Sequence, residues 1–333
     1  MTMLQDGFLR SHDYLRVSVT DKCNLRCTYC MPPEGVSFLS HDAVLRNEEF
    51  LRLIGIFAGL GIRKVRFTGG EPLVRKGIRH ILAEARAQFP QLELAITTNG
   101  LLLGDFLEDL HSWEVKKLNI SLDTLNARRY GELTRCNSLE QVLQSIDRAL
   151  DTDFFDIKIN AVLFEETLTE LDDFLAYAAK RNLVLRFIEK MPFSEMEQSH
   201  GFVSSDRLVA ELEKRGSLVR QGKEDTYVAK RYDLLSKEGP VKLGIIPPMT
   251  HKFCKSCNRL RLTSDGFLKT CLHSSGEEDL RSALRRNESD KAIGEMVLQA
   301  VKRKQEGHTL DCFSSDSGCG AVANSRSMSK IGG

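Results

Sequence analysis

The chain has 333 residues, 41% of them hydrophobic, which is enough to bury one large core. Its 47 basic and 46 acidic residues leave a net charge of +1, so we expect neither nucleic acid nor an anionic membrane as a partner. The first residues lack the apolar stretch of a signal peptide, and no run approaches the ~18 apolar residues of a membrane span. A cytoplasmic protein without a membrane partner is therefore predicted.

Six strand-like runs alternate with helical patterns in the first part of the chain. The runs are 14–20, 64–70, 92–100, 117–123, 155–163 and 184–191, and segments such as 47–61 and 138–150 have helical periodicity. Consecutive βα units predict parallel strands with outer helices. The predicted fold is therefore α/β, an incomplete (βα)6 TIM-type barrel, and a doubly wound open sheet is the structural alternative.

Five of the six runs alternate apolar and polar residues. In the first run, Leu15 and Val17 share one face, while Arg16 and Ser18 share the other. Outer helices can cover only the apolar face, so the polar face should line the interior of the barrel. Half-exposed antiparallel strands would also alternate, but a helical segment after each strand argues against them. The pattern predicts a binding cavity inside the barrel, and the sixth run has no clear face.

After residue 214 the pattern becomes more polar, with short strands. We therefore predict a barrel over 1–214 and a smaller unit of short antiparallel strands over 215–333. Within that unit, Ser264, Asp265 and Gly266 are typical of a hairpin turn between the runs RLRLT and FLKTCL. The last residues, which end in Gly332 and Gly333, have the composition of a frayed tail.

Six of the nine cysteines form two groups of three, and such thiols indicate a metal site or catalysis. The first cysteine group is Cys23, Cys27 and Cys30, and the second is Cys254, Cys257 and Cys271. A structural zinc site is closed by four ligands, and His251 or His273 could complete one at the second group. His12 and His41 are the histidines nearest to the first group. A four-iron cluster held by three thiolates leaves one iron open to a ligand that is not protein.

Two short motifs resemble those of a known family. The stretch CNLRCTYC at 23–30 resembles the CxxxCxxC signature of the radical S-adenosylmethionine (SAM) superfamily, and GGEP at 69–72 resembles its SAM-binding motif. The second cysteine group, the RLR segment and the terminal Gly-Gly narrow this resemblance to the GTP 3′,8-cyclase family of molybdenum cofactor biosynthesis (molybdenum cofactor biosynthesis protein A). The resemblance runs from Tyr14 to Gly333.

The resemblance implies a lyase that converts GTP to (8S)-3′,8-cyclo-7,8-dihydroguanosine 5′-triphosphate. A 4Fe–4S cluster on the first group would cleave SAM to a 5′-deoxyadenosyl radical, which takes hydrogen from C3′ of GTP before that carbon closes onto C8. A second 4Fe–4S cluster on the second group would hold the purine. The implied SAM contacts are Tyr29, Gly70, Ser121 and Met191. The implied GTP contacts are Arg16, Arg66, Thr97, Lys158, Arg259, Leu260 and Arg261.

The same resemblance implies several partners. They are a reduced electron donor such as a flavodoxin or ferredoxin, a second copy in a homodimer, and a cyclic pyranopterin monophosphate synthase that receives the product. A radical SAM enzyme that modifies a peptide and carries an auxiliary cluster is the alternative function. Such enzymes usually have more C-terminal cysteines than the three grouped here. A non-enzymatic zinc-binding module is a third hypothesis.

Individual residues carry further expectations. Arg16, Arg66 and Lys158 are suited to a triphosphate, because guanidinium groups match phosphate oxygens. Glycines 69 and 70 are expected to let a ligand approach bare backbone. Glu71 either binds the SAM amino group or caps the following helix. The remaining loop lysines, Lys22, Lys255 and Lys269, are expected to be solvated.

Overall fold

The computed structural model describes residues 4–32, 34–191, 202–222, 228–308, 326 and 328–332. The strands are β1 Tyr14–Ser18, β2 Lys64–Thr68, β3 Glu93–Thr98, β4 Lys117–Ser121, β5 Asp156–Leu163, β6 Val184–Glu189, β7 Gly216–Gln221, β8 Lys230–Ser236, β9 Gly239–Ile246, β10 Arg259–Leu262, β11 Phe267–Lys269 and β12 Glu278–Asp279. The helices are α1 Asn47–Gly59, α2 Ile78–Gln88, α3 Leu107–Ser112, α4 Ala127–Thr134, α5 Leu139–Asp151, α6 Glu165–Thr169, α7 Leu171–Arg181, α8 Ser205–Glu213, α9 Leu280–Arg285, α10 Asp290–Lys302 and α11 Met328–Ile331.

These strands form one sheet in the order β12-β11-β10-β1-β2-β3-β4-β5-β6-β9-β8-β7. In the central run β10-β1-β2-β3-β4-β5-β6-β9, each strand is parallel to the next one in the run. The pairs at the two ends of the sheet are antiparallel. The architecture is thus an open barrel whose two edges carry short antiparallel ribbons.

The predicted six-unit incomplete barrel is confirmed, and β9 and β10 extend it by one parallel strand on each side. The sequence pattern did not predict this extension of the barrel. The chain reaches β9 through the antiparallel β7–β8 ribbon and not through a helix, so no βα repeat indicates it. One continuous sheet therefore crosses the predicted boundary at 214/215, which lies between α8 and β7. The division into two domains stays a prediction.

The core lies between the sheet and its outer helices. Leu15 and Val17 of β1 are fully buried there, and Phe50 and Phe57 of α1 pack in the same cluster. Such burial of apolar side chains is the main force that holds helices against a sheet. The apolar face of each strand therefore points outward to the helices, which leaves the polar face for the interior.

The predicted hairpin between β10 and β11 is confirmed. Arg261 pairs with Lys269 across it, and Gly266 in its turn has a positive φ of 83°, which glycine adopts without strain. Cys312, Cys319 and Gly333 lie outside the described residues. In the described part of the chain, no helix is both long and apolar enough to cross a membrane.

Candidate active site

The polar strand faces enclose a cavity of about 1050 Å³. Arg16, Arg66, Thr97, Ser121 and Lys158 all line it, as the alternation of the strands predicted. All members of both cysteine groups line it as well. Typical small-molecule sites have volumes of roughly 300–1,000 Å³, so this cavity has room for two ligands of moderate size.

The two cysteine groups lie at opposite ends of the cavity. The first group follows β1 and therefore lies at the carboxyl end of the parallel strands. Cys254 and Cys257 precede β10, which is parallel to β1, so they lie at the amino end. Cys271 follows β11, which returns to that same end. A molecule or pair of molecules that spans the cavity can contact both groups.

The loop of the first cysteine group is held by the end of α4. The backbone N–H of Thr28 donates to the carbonyl oxygen of Leu133 at 2.9 Å. Arg135 donates from Nη1 to the carbonyl oxygens of Arg26 at 2.7 Å and Met31 at 2.9 Å. The loop conformation is therefore set by the protein itself, which prepares the three thiols for a shared ligand.

Burial controls the ionisation of these thiols. It raises the pKa of Cys23 to about 11 and that of Cys27 to about 12. Thiolates are the form that binds metal. Because the pKa values of these thiols are raised, a positively charged group nearby is needed to favour their deprotonation. Three partly buried thiols on one preformed loop suit an iron–sulfur cluster.

The turn that carries Gly69, Gly70 and Glu71 packs directly on the start of this loop. A Cβ atom on Gly69 would lie 2.5 Å from the carbonyl oxygen of Thr20, and one on Gly70 would lie 2.4 Å from that of Lys22. This close packing requires glycine at both positions, and the expected approach of a ligand to this backbone stays a prediction. Gly70 also lines the cavity.

Glu71 is buried and caps the short 3-10 turn that follows it. It accepts hydrogen bonds from the backbone N–H of Leu73 at 3.0 Å, the N–H of Asn99 at 2.7 Å and the hydroxyl of Thr98 at 2.9 Å. Burial raises the pKa of Glu71 to about 7 despite these hydrogen bonds. Of its two predicted roles, the capping role is observed.

All four predicted SAM contacts line the cavity, namely Tyr29, Gly70, Ser121 and Met191. The Tyr29 hydroxyl donates to Asp123 Oδ2 at 2.6 Å, and Asp123 Oδ1 accepts from the backbone N–H of Val162 at 2.8 Å. Burial and the nearby Asp123 carboxylate raise the pKa of Tyr29 well above its usual value. Tyr29 is therefore a neutral, fixed side chain beside the first cysteine group.

The second cysteine group has cations close to its thiols. Lys304 Nζ lies 3.6 Å from Cys257 Sγ and donates to the carbonyl oxygen of Arg259 at 2.9 Å. Burial raises the pKa of Cys257, but the charges of Arg259 and Lys304 outweigh burial and lower it to about 7. Arg10 donates to the carbonyl oxygen of Cys254 at 2.7 Å. The nearby cations therefore favour the thiolate of Cys257, whereas burial raises the pKa of Cys254.

The histidines considered as zinc ligands have other contacts. His251 contacts Asp206 at 2.9 Å, His12 contacts Asp6 at 3.0 Å, and His41 is fully exposed. His273 does line the cavity beside the second group. In the described ranges, no three His, Cys, Asp or Glu side chains converge on one ion.

Three arginines stand side by side across neighbouring strands. Arg16 of β1 is in register with Arg66 of β2 on one side and with Arg261 of β10 on the other. Burial lowers the pKa of Arg16 to about 10, with Arg66 and Arg259 contributing, and it lowers the pKa of Arg261 well below its usual value. Like charges on adjacent strands are unfavourable unless an anion lies between them. The row is therefore suited to a polyanion.

Among the other predicted GTP contacts, Arg66, Thr97 and Lys158 line the cavity, whereas Leu260 does not. Arg66 donates to Tyr14 Oη and to the carbonyl oxygen of Ile96, both at 2.6 Å, and Thr97 Oγ1 lies 3.5 Å from Arg66 Nη1. Lys158 forms an ion pair with Asp156. Leu260 differs from the rest, because its side chain is fully buried in the hydrophobic core and does not line the cavity.

Sequence reasoning did not select several other residues that line the cavity. They are the cations Lys64, Lys117, Arg186 and Arg231 and the amides Asn119 and Asn160. The buried Oδ1 atoms of both amides lack a hydrogen-bond partner in the part of the chain described here. Buried polar atoms without a partner are rare, so these two fit a site that a ligand completes. The alternation of β4 and β5 does place both amides on the polar face that is predicted to line the interior, although neither is predicted as a ligand contact.

The last described residues lie beside the same cavity, which Met328 lines. Gly332 is buried with a φ of 83°, and a Cβ there would lie 2.8 Å from Thr68 Cγ2 and 3.0 Å from Ser18 Cβ. Arg261 donates from Nη1 to the Gly332 carbonyl oxygen at 2.6 Å. Gly332 is therefore not frayed as composition alone suggested, and a residue with a side chain would not fit there.

Comparisons with known proteins agree with this architecture. Residues 17–178 match the Radical SAM superfamily model, and residues 183–310 match the Molybdenum Cofactor Synthesis C model. The structure of Streptococcus suis SuiB bound to S-adenosylmethionine is similar in fold, with a TM-score of 0.62 at 14% identity over 86% of this chain and 68% of that chain.

Curated relatives are more similar in sequence. GTP 3′,8-cyclase of Peptoclostridium acidaminophilum is 43% identical over 317 residues, which cover 93% of this chain and 94% of the relative. Molybdenum cofactor biosynthesis protein 1 of Dictyostelium discoideum is 39% identical over 92% of this chain, which spans about half of that longer protein (49%). These matches run through both cysteine groups, so the chain belongs to the GTP 3′,8-cyclase family of radical SAM enzymes.

Proposed function

We propose that this radical SAM lyase converts GTP to (8S)-3′,8-cyclo-7,8-dihydroguanosine 5′-triphosphate in molybdenum cofactor biosynthesis. The observation that carries the proposal is the row of Arg66, Arg16 and Arg261, which lies inside one cavity between two groups of three thiols. A triphosphate supplies the negative charge that such a row requires, and guanidinium groups bind its oxygens in pairs.

The first cysteine group would hold a 4Fe–4S cluster, and Tyr29, Gly70, Ser121 and Met191 would surround SAM at the same end. When bound, the cluster and SAM supply the electron transfer and the 5′-deoxyadenosyl radical for the reaction. The protein's own part is to fix the loop through Arg135, to hold Tyr29 through Asp123 and to keep water out of the cavity.

The second cysteine group would hold a second 4Fe–4S cluster, whose open iron contacts the purine of GTP. Arg259 and Arg261 follow this group along β10, and Arg16 and Arg66 lie level with Arg261 on the neighbouring strands. Thr97 and Lys158 lie two residues further toward the carboxyl end of the strands. GTP bound along this line would lie between the purine contact and SAM. Leu260 would contribute through its backbone, since its side chain is in the core.

Further partners follow from the same proposal. A flavodoxin or ferredoxin would reduce the first cluster, a second copy would complete a homodimer, and a cyclic pyranopterin monophosphate synthase would take the product. We place the protein in the cytoplasm, where thiols stay reduced. The division into a barrel over 1–214 and a second-cluster unit with a Gly-Gly tail over 215–333 is part of the proposal.

The metal content of the reconstituted protein tests the proposal. After anaerobic reconstitution we expect about eight irons per chain, because each three-thiolate group binds four. Incubation of that protein with GTP, SAM and a reductant should yield the cyclised nucleotide and 5′-deoxyadenosine. About four irons with one zinc would instead favour a closed site at the second group, and zinc alone would refute radical chemistry.

The arginine row gives a prediction about substrate affinity. Arg16→Ala is expected to weaken GTP binding by about 1.5–3 kcal/mol, the range for hydrogen bonds to charged groups, while SAM binding changes little. Isothermal calorimetry measures both. Arg128→Ala is the matched control, because Arg128 is 89% exposed on α4 and pairs only with Glu132 among the described residues. Equal GTP affinity in the two variants would place Arg16 outside the nucleotide site.

A further inference from the structure

The last described residues, which we call the tail (326 and 328–332), contain one short helix, α11. α11 is a single turn, and a helix this short is not stable in isolation. Ile331 and Gly332 are nevertheless buried, and Gly332 lies against Ser18 and Thr68 at the carboxyl ends of β1 and β2. Something outside α11 must therefore hold the tail at this depth.

Arg326 makes the strongest set of contacts in the tail. Its Nη1 donates to Asp265 Oδ1 at 2.9 Å and to Oδ2 at 2.7 Å. Its Nε donates to Glu277 Oε2 at 2.9 Å, and its guanidinium carbon lies 4.8 Å from the centre of the Phe267 ring. Two carboxylates and one aromatic face thus surround a single guanidinium group, which is a geometry that lysine cannot reproduce.

The two carboxylates are themselves fixed. Thr263 Oγ1 donates to Asp265 Oδ1 at 2.6 Å, and Lys269 Nζ donates to Glu277 Oε1 at 2.9 Å. The expectation that Lys269 is solvated is therefore wrong, because its side chain is 1% exposed. Asp265 and Glu277 carry two negative charges, which Lys269 and Arg326 balance. If the tail withdrew, the 8% exposed Asp265 side chain would lose the one cation that pairs with it among the described residues.

We propose that Arg326 is a positioning residue, whose docking between Asp265 and Glu277 sets how far the tail enters the cavity. From Arg326 to Gly332 is a short step that includes one helical turn, so a fixed Arg326 leaves Gly332 little freedom to move. The same hairpin that holds Arg326 also carries Arg261, which donates to the Gly332 carbonyl oxygen. Arg326 acts through the tail, since Asp265, Glu277 and Phe267, which it contacts in the described part of the chain, do not line the cavity.

Hydrogen–deuterium exchange of the C-terminal peptide tests this positioning role. The Gly332 amide, which donates to the Met328 carbonyl oxygen at 3.1 Å, should exchange at least tenfold faster in Arg326→Gln than in the unaltered protein. Asp265→Asn removes the other side of the contact and should produce the same increase. Arg326→Lys should restore part of the protection, since it keeps the charge but not the paired geometry.

Arg303→Gln is the matched control for this experiment. Arg303 pairs with Glu278, the residue after Glu277, at 2.6 Å, but it is 68% exposed and lies outside the tail. Its replacement should leave the exchange of Gly332 unchanged. Equal protection of Gly332 in Arg326→Gln, Asp265→Asn and the control would overturn the proposal.

A second measurement rests on the proposed function. Turnover of GTP should fall at least tenfold in Arg326→Gln, while iron content and the Kd for GTP stay within twofold of the unaltered protein. Loss of protection in a protein that never converts GTP would support the positioning role and refute the proposed function. Unchanged turnover in Arg326→Gln, in an active preparation, would overturn the role of Arg326 in the reaction.

Discussion

Replacing Cys27 with alanine is expected to abolish the reductive cleavage of SAM. Two thiolates cannot hold a four-iron cluster that also keeps one iron open for SAM. Cys23→Ala and Cys30→Ala should have the same effect, because all three thiols lie on the loop that α4 holds in place. The measurement is 5′-deoxyadenosine formed per chain after anaerobic reduction with SAM.

Cys136→Ala is the control for these three variants. Cys136 lies two residues beyond the end of α4, the helix that holds the loop of the first group. It belongs to neither group, and its Sγ contacts Ser138 Oγ at 3.2 Å. Cleavage of SAM should persist in this variant. Formation of 5′-deoxyadenosine by any of the three single variants of the first group would contradict the assignment of that group.

The second large effect is expected at the other end of the cavity. In a variant with Cys23, Cys27 and Cys30 all changed to alanine, GTP should alter the electron paramagnetic resonance spectrum of the remaining reduced cluster. The physical reason is that the second group offers three thiols, so the fourth iron of a cluster bound there would take a ligand from outside the protein. Arg259 and Arg261 leave this group with charge suited to a nucleotide.

Nucleotide specificity provides the control for that spectrum. Guanosine-type ligands should reproduce the change, while a pyrimidine triphosphate should not, because recognition would proceed through the purine edge. A spectrum that does not respond to saturating GTP would mean that the second cluster does not contact the substrate. In that case the peptide-modifying alternative would gain support.

Much of the cavity could be predicted because its strands have two chemically different faces. Arg16, Arg66 and Lys158 alternate with apolar residues, and this period of two indicates which side each strand presents to the interior. The same reasoning does not identify the cavity face of β6. Its cavity side carries Val184 and Ile188 as well as Arg186, so apolar residues occur on both faces and hide the cation.

Other features could not be predicted, because they depend on contacts between distant parts of the chain. Lys269 has the sequence context of a solvated loop lysine, but in the fold its ammonium group donates to Glu277 and to the carbonyl oxygen of Ser274. The sequence also does not reveal that the backbone of residues 20–22 occupies the space that side chains at Gly69 and Gly70 would need. A local pattern reports the conformation of a segment and does not identify its neighbours in the folded protein.

The pairing of β1 with β10 has a consequence for synthesis of the protein. Tyr14 is in register with Arg259, so β1 cannot acquire this neighbour until almost the whole chain has left the ribosome. At ~5–20 residues per second, that wait is roughly ten seconds to a minute. Through this interval one edge of β1 exposes unpaired backbone groups, which invites pairing with other nascent chains. The end of the cavity at the second cysteine group would thus be the last part to assemble. We expect strand-edge aggregation to be the main risk during biogenesis.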